Sequence, residues 1–333
     1  MQTAKSLFFI APRKVEVRET PLPPLNADEV LVETICSAVS AGTEMLVYRG
    51  QFPQSTDAHD RVSSELKYPL AYGYACVGKI RDIGKLADRE LAGRLVFAFH
   101  PHASYFIAHS SSLIPIPLPL SPENACFLPN METAVNLVQD GAPILGERVL
   151  VLGQGVVGLL TASLLSEFPL EKLFTVDNFD LRRKASGKMN NVVSLNISEA
   201  QGTPFAYAQD KFDLTFELTG SPSALNDAIE HTAFSGRIVI GSWYGQKRAE
   251  IDLGSAFHRS RIKLIASQVS TISPELSGRW DKSRRFDAAW KALERIQPEK
   301  WITHRFSIEE AEKAYQLLDE NPQETIQVVF TYL

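Results

Sequence analysis

The sequence predicts an α/β protein in two parts: a β-rich N-terminal domain and a doubly wound parallel sheet, with a final segment that returns to the first part. Three observations carry this. Between residues 147 and 177 a buried strand, a glycine turn, an apolar helix and a second strand follow one another. Near residue 125 short strand-like pieces give way to alternating helices and apolar strands. Beyond residue 283 two helical patterns lead into a last strand.

In the first part, residues 29–35 and 94–99 read as strands, and the prolines at 21, 23 and 24 and at 115, 117 and 119 punctuate the connections. In the second part, strands at 149–152 and 173–177 flank the glycine turn. A strand at 212–218 ends at Thr219-Gly220, a helix over 223–234 leads to a strand at 237–241, and 262–266 adds another. Such alternation builds a parallel sheet with helices on both faces. Phe286, Ala289, Trp290 and Leu293 then recur at helical spacing, and Ser307 with Glu310 has the capping-box spacing that opens a helix over 308–318. A strand at 325–332 ends the chain. Residues 1–128 and 267–333 are expected to form one domain and 129–266 the other.

A chain of 333 residues is long enough for two ordinary domains, and 44% hydrophobic with 22% charged residues fits a soluble globular protein. A formal charge of -5 argues against nucleic acid as a partner. Cys36, Cys76 and Cys126 are widely spaced, form neither a disulfide framework nor a C-x-x-C pattern, and read as small buried hydrophobes in a reducing cytoplasm. The opening apolar run meets Pro12 and several charges too soon for a signal peptide, and no run is long enough to span a membrane.

The run Gly153-Gln154-Gly155-Val156-Val157-Gly158 is a dinucleotide fingerprint in its full context. Gly153 allows the sharp turn off the strand, Gly155 leaves room for a pyrophosphate, and Gly158 lets the helix approach the sheet. The backbone N–H groups at Val156 and Val157 open the helix, where its dipole favours anionic oxygens. Asp177 ends the second strand, where a carboxylate accepts hydrogen bonds from ribose hydroxyls and repels a 2′-phosphate. NAD(H) is therefore favoured over NADP(H), with Arg182 and Arg183 softening the preference. Asn178, Thr219 and Gly241, at or just beyond strand ends, complete the expected cofactor contacts.

A β-rich domain, then a nucleotide-binding unit, then a returning segment resembles the medium-chain dehydrogenase/reductase superfamily across nearly the whole chain. Echoes include Tyr48-Arg49-Gly50, Pro69 to Gly73 with Gly78, Thr133-Ala134 and Trp301-Ile302-Thr303-His304. The resemblance implies a GroES-like catalytic domain, a Rossmann cofactor domain, nicotinamide-dependent chemistry on a small alcohol, ketone or quinone, and a homodimer with the sheet edge beyond Ile262 as a contact. Locally, Ser40 to Leu46, Gln51-Phe52-Pro53 and Tyr68-Pro69-Leu70 look like the branch of bacteriochlorophyllide hydroxyethyl dehydrogenases, which favours alcohol or ketone chemistry.

Against the zinc enzymes of the superfamily, the frame of the first ligand motif falls on Ala41-Gly42-Thr43-Glu44 and that of the glycine-His-Glu motif on Gly73-Tyr74-Ala75. The third ligand position falls on Pro129, and the four-cysteine structural-zinc lobe is absent. Zinc catalysis needs three protein ligands and an open position. The resemblance thus implies a zinc-independent member, with hydrogen-bond donors in place of the Lewis acid. Thr43 matches a proton-relay hydroxyl. Tyr74 either donates its phenol to a carbonyl or fills a hole in the core. Glu44 and Glu132 lie in the same lining segments and orient neighbouring groups. His100 and His102, two residues apart, share one face if the chain is extended, and with Glu132 offer either an unusual metal site or ordinary loop hydrogen bonds; His102 is also a candidate proton shuttle. Three functions remain open: interconversion of a secondary alcohol and a ketone, reduction of a quinone or activated alkene, and a non-catalytic NAD(P)H-binding sensor or scaffold.

Overall fold

The computed structural model describes residues 2–52, 66–196 and 211–332; Pro53 of the local pattern above lies outside them. The chain forms two units, Met1–Pro129 with Leu293–Leu333, and Asn130–Ala292.

The second unit is built on six parallel strands in the order Val192–Leu195, Lys172–Val176, Arg148–Leu152, Phe212–Glu217, Thr232–Ile240, Lys263–Ala266. The chain steps outward from Arg148–Leu152 on one side, then restarts at Phe212–Glu217 and steps outward on the other. The strand order therefore reverses beside the carboxyl end of Arg148–Leu152, where ligands bind in open α/β sheets. Both faces of that strand are buried: Leu150 and Leu152 pack with Leu225, Ala228 and Ile229, while Val149 and Val151 pack with Leu137, Leu165 and Val239. Each such side chain contributes about 1.5–3 kcal/mol of burial, so the strand that carries the glycine turn is among the most firmly held. The helix expected over 223–234 spans only Ala224–His231. Thr232 already belongs to the next strand, its hydroxyl donating to Ala228 O and lying 2.9 Å from the Thr215 hydroxyl.

The first unit holds two sheets. Lys14–Pro21, Thr3–Ala11 and Leu70–Ala71 form an antiparallel set. The larger sheet runs Ile302–Ser307, Gln327–Thr331, Glu29–Ala38, Cys76–Ile83, Leu95–Ala98, Ile114–Pro115, with Tyr105–His109 also paired to Glu29–Ala38. The returning segment thus adds two strands, joined by the helix Ala311–Glu320, against the N-terminal part. Its entry carries the expected capping box, with Ser307 N–H donating to Glu310 Oε2 at 3.4 Å.

Residues 267–292 stay with the second unit instead of returning at 267. The reason is Arg285, fully buried on the helix Lys282–Ile296. Its Nε and Nη2 donate to Glu132 Oε1 at 3.0 and 2.8 Å, its Nη1 to Asn136 Oδ1 at 2.5 Å and Thr271 O at 3.1 Å, and its Nη2 also to Val269 O. All five guanidinium donors are used. Among the described residues no helix is long and apolar enough to cross a membrane.

Candidate functional site

In the second unit the three glycines have three different reasons to be glycine. Gly153 has φ +89°, and a Cβ there would lie 2.6 Å from Leu218 O. At Gly158 a Cβ would lie 1.9 Å from Gly153 O, so the helix Val156–Leu165 starts in direct contact with the turn. A Cβ on Gly155 would meet nothing within 4 Å. Gly155 is the N-cap and offers no side-chain cap, so no capping side chain satisfies the first-turn N–H groups at Val156 and Val157.

Beside this open position, Gln154 is fully buried. Its Nε2 donates to Gly153 O at 2.9 Å, and its Oε1 has no hydrogen-bond partner among the described residues. An open cradle over a helix N-terminus and an orphaned buried acceptor fit a dinucleotide with phosphate oxygens and hydroxyl donors. Asp177 also braces the turn: its Oδ2 accepts from Gln154 N–H at 2.7 Å and its Oδ1 from Phe179 N–H at 2.8 Å, which leaves one acceptor site on each oxygen. Arg182 lies 3.9 Å from Asp177 Oδ2 with its guanidinium over the Phe179 ring, and Asn178 is exposed next to it.

The other two cofactor candidates have structural roles. A Cβ on Gly241 would lie 2.5 Å from Leu218 Cδ2 and 2.6 Å from Leu137 Cδ2, so apolar packing requires that glycine. Thr219 is exposed, and its N–H donates to Glu217 Oε1 at 2.8 Å. Glu217 itself was missed. It is a fully buried carboxylate ending the strand Phe212–Glu217, bonded also by Tyr244, whose phenol is pushed up by burial and then by that bond. An acidic residue at the buried carboxyl end of a strand was the available signal.

In the first unit the helix Thr43–Arg49 begins where Ser40 N–H donates to Glu44 Oε1 at 2.8 Å and Glu44 N–H donates back to Ser40 O at 2.8 Å. Thr43 is half-buried at the helix start. Tyr74 is half-buried too, with its hydroxyl donated to Ser40 Oγ. Burial raises the Tyr74 phenol, and contacts with the Ser40 and Thr43 hydroxyls pull it partly back. The structure therefore gathers Ser40, Thr43 and Tyr74 into one group of hydroxyls.

His102 and Glu44 are fully buried and bonded to each other, Nε2 to Oε2 at 3.0 Å. His102 Nδ1 lies 2.6 Å from Ser37 Oγ, which lies 2.6 Å from the Tyr332 hydroxyl. Tyr315 donates to Glu44 Oε2 at 2.5 Å, and burial followed by the Glu44 charge drives its phenol well up. Ser37, Tyr315 and Tyr332 were not foreseen, since their partners are far away in sequence.

One expectation is corrected. His100 and His102 do not share a face: the chain there is irregular, His100 stacks on Phe106 with centroids 4.1 Å apart, and His102 turns to Ser37 and Glu44. Glu132 belongs to the second unit, where Arg285 and Lys282 hold its Oε1, the latter at 2.6 Å. The described residues contain no group of three His, Cys, Asp or Glu arranged to hold a metal. At the positions that the resemblance assigns to zinc ligands, Ala41 and Ala75 have no side-chain donor atom, Pro129 has none either, and Tyr74 donates its hydroxyl to Ser40. These residues do not fit a zinc ion.

A family model described as glucose dehydrogenase C-terminus matches residues 130–331. L-threonine 3-dehydrogenase of Xanthomonas campestris pv. campestris (strain B100) is 21% identical over 344 residues, covering 93% of this chain and 94% of its own. The uncharacterized zinc-type alcohol dehydrogenase-like protein YphC of Escherichia coli (strain K12) is 27% identical over 354 residues, covering 96% of each chain. A crystal structure described as a short chain alcohol dehydrogenase, rspB, from E. coli CFT073 complexed with NADH matches with a TM-score of 0.79 at 20% identity over 100% of both chains. That likeness shows the fold: a GroES-like unit and a Rossmann unit.

Proposed function

Because the chain belongs to the glucose dehydrogenase C-terminus family, and with it to the medium-chain, zinc-type alcohol dehydrogenase-like superfamily, we propose that it is a nicotinamide-dependent oxidoreductase interconverting a secondary alcohol and a ketone without catalytic zinc. The observation that carries this reading is the hydroxyl group of Ser40, Thr43 and Tyr74 in a frame whose ligand positions hold Ala41, Tyr74 and Ala75.

Gly153, Gly155, Val156, Val157, Gly158, Asp177, Asn178 and Arg182 would hold the dinucleotide, in line with the NADH of the rspB structure. Asp177 favours NAD(H), because its carboxylate repels a 2′-phosphate. Bound there, the nicotinamide supplies or accepts the hydride. Thr43 and Tyr74 bond the substrate oxygen. Desolvation keeps the Tyr74 phenol protonated; its one proton, which rests on Ser40 Oγ in the free protein, would turn to the developing oxyanion during ketone reduction, with the Ser40 and Thr43 hydroxyls then donating to the phenol oxygen. In the oxidation direction Thr43 relays the substrate's hydroxyl proton, accepting it as its own hydroxyl proton passes on to water at the half-buried helix start. The names of the relatives support alcohol chemistry, as does the local likeness around Ser40 to Leu46.

The test is turnover of a panel of secondary alcohols with NAD, followed by NADH absorbance. Thr43→Val is expected to lower kcat by about 10²-fold with little change in NADH Kd, the usual size of a lost proton-transfer group. Unchanged turnover in that variant, or a wild-type enzyme that reduces quinones or activated alkenes but oxidises no secondary alcohol, overturns the reading.

A further inference from the structure

The buried chain Tyr332, Ser37, His102, Glu44, Tyr315 takes no part in the steps above, yet it is complete. Ser37, His102, Glu44 and Tyr315 are fully buried, and among the described residues Glu44 is held by three donors, His102 Nε2, Tyr315 and Ser40 N–H, none of them from Lys or Arg. A Ser–His–Glu sequence of bonds suggests a hydrolytic nucleophile, but Ser37 has no exposed surface and its oxygen is also engaged by Tyr332. Apolar residues would fill this core at less cost than a buried carboxylate and imidazole, so packing gives no reason for the chain.

Two contacts tie it to Tyr74. At Gly73, with φ +121°, a Cβ would lie 2.7 Å from both Nε2 and Cδ2 of His102, so the imidazole rests directly against the backbone that precedes Tyr74. Ser40, whose N–H is bound by Glu44 Oε1, is the residue whose Oγ receives the Tyr74 hydroxyl. One carboxylate therefore fixes Tyr74 at both ends, its backbone through His102 and its phenol through Ser40.

We infer that Glu44 and His102 are positioning residues that set where the Tyr74 phenol stands. The inference rests on the reading of Tyr74 as donor to the substrate oxygen. Gly73 is part of the device, because any side chain there would displace the imidazole.

The test uses the full chain labelled with ¹³Cζ-tyrosine, with the Tyr74 resonance assigned by its loss in Tyr74→Phe. His102→Leu and Glu44→Gln are expected to shift or broaden that resonance while leaving NADH Kd unchanged, and to lower kcat for the best secondary alcohol by about 10- to 100-fold, the effect of a misplaced group. His102→Gln, which keeps an N–H toward Glu44 and an acceptor toward Ser37, restores both the resonance and most of kcat. A Tyr74 resonance unmoved in His102→Leu and Glu44→Gln variants that still bind NADH overturns the inference. Should Tyr74→Phe turn over normally while the resonance moves as stated, the donor reading fails and the positioning holds. If His102→Leu does not fold, Glu44→Gln, which conserves volume, carries the same comparison.

Discussion

The glycine turn separates what folding needs from what a cofactor needs, and two alanine substitutions read that difference. At Gly158 a methyl would sit 1.9 Å from Gly153 O, well inside the 3.0 Å that real Cβ atoms keep, and the obstacle is a backbone oxygen with no rotamer to escape into. Overpacking of this kind costs about 3 kcal/mol at the upper end of its usual range, offset by about 1 kcal/mol of helix propensity. The expected net loss is about 2 kcal/mol. At Gly155 the methyl meets nothing within 4 Å and φ is -66°. Reduced freedom of the unfolded chain and a poorer N-cap nearly cancel there, so stability changes by less than about 1 kcal/mol. That methyl, however, occupies the space left for the phosphates. Losing one charge-assisted hydrogen bond, about 1.5–3 kcal/mol, weakens NADH binding by about 10- to 100-fold. The assays are urea denaturation and NADH titration by fluorescence on the same preparations. Gly155→Ala with wild-type NADH affinity, or with a stability loss as large as that of Gly158→Ala, refutes the reasoning.

Three further outcomes follow from buried polar groups. Arg285→Met strands Thr271 O and Asn136 Oδ1 and leaves Glu132 and Val269 O with Lys282, so denaturation should show a loss of about 3 kcal/mol, the lower end for breaking a buried pair. Burial alone would raise the Glu147 carboxyl, but the two-pronged bond from Arg237, at 2.7 and 2.8 Å, with help from Ile144 N–H, holds it below its ordinary 4.5. A depressed acid stabilises the fold fully above its unfolded value and loses that contribution as pH falls through its folded value. The stability gap between wild type and Arg237→Gln should therefore be constant well above the ordinary value of 4.5 and narrow as the pH falls below it through the lower folded value; a gap that stays level refutes the assignment. Finally, burial pushes the Cys76 and Cys126 thiols up, and Cys36 Sγ lies 3.2 Å from Cys126 Sγ. An aromatic disulfide reagent should react at least about 10²-fold faster with urea-unfolded than with native protein, and rapid native labelling of Cys76 or Cys126 contradicts this burial.

The Rossmann unit was legible because its signals are local. The spacing of Gly153, Gly155 and Gly158 is fixed by one turn and one helix, and the apolar run at 149–152 buries both faces whatever surrounds it. Where the reading failed in this unit, a distant side chain decided. The second boundary was placed at 267 because the parallel sheet ends with Lys263–Ala266, yet Arg285 carries the following segment back to Glu132, 153 residues earlier. Nothing in Lys282-Ser283-Arg284-Arg285 distinguishes the buried arginine from its exposed neighbours. Three cysteines widely spaced in sequence likewise gave no hint that Cys36 and Cys126 touch, because the packing of the short helix Pro122–Ala125 against the strand Glu29–Ala38, not spacing, brings them together.

The catalytic unit was legible as a loss and obscure as a replacement, for a physical reason. Ala41, Tyr74 and Ala75 can each be recognised against a local motif, so the missing ligands are visible in a short window. Glu44 is different. A carboxylate kept in the core without a Lys or Arg partner must be held by several strong donors, but solvation physics specifies their number and direction, not their place in the sequence. Here they come from His102, 58 residues away, and Tyr315, 271 residues away, and Ser37 completes the imidazole from a strand of the larger sheet. The spacing of His100 and His102 left a shared face or ordinary hydrogen bonds open; the buried carboxylate of Glu44 holds one imidazole inward while the other stacks on Phe106. A retained acidic residue in a frame that has lost its ligands is thus the most useful local clue to such a network: it states that donors have been recruited, and Gly73, too close to His102 to carry a side chain, marks where one of them lies.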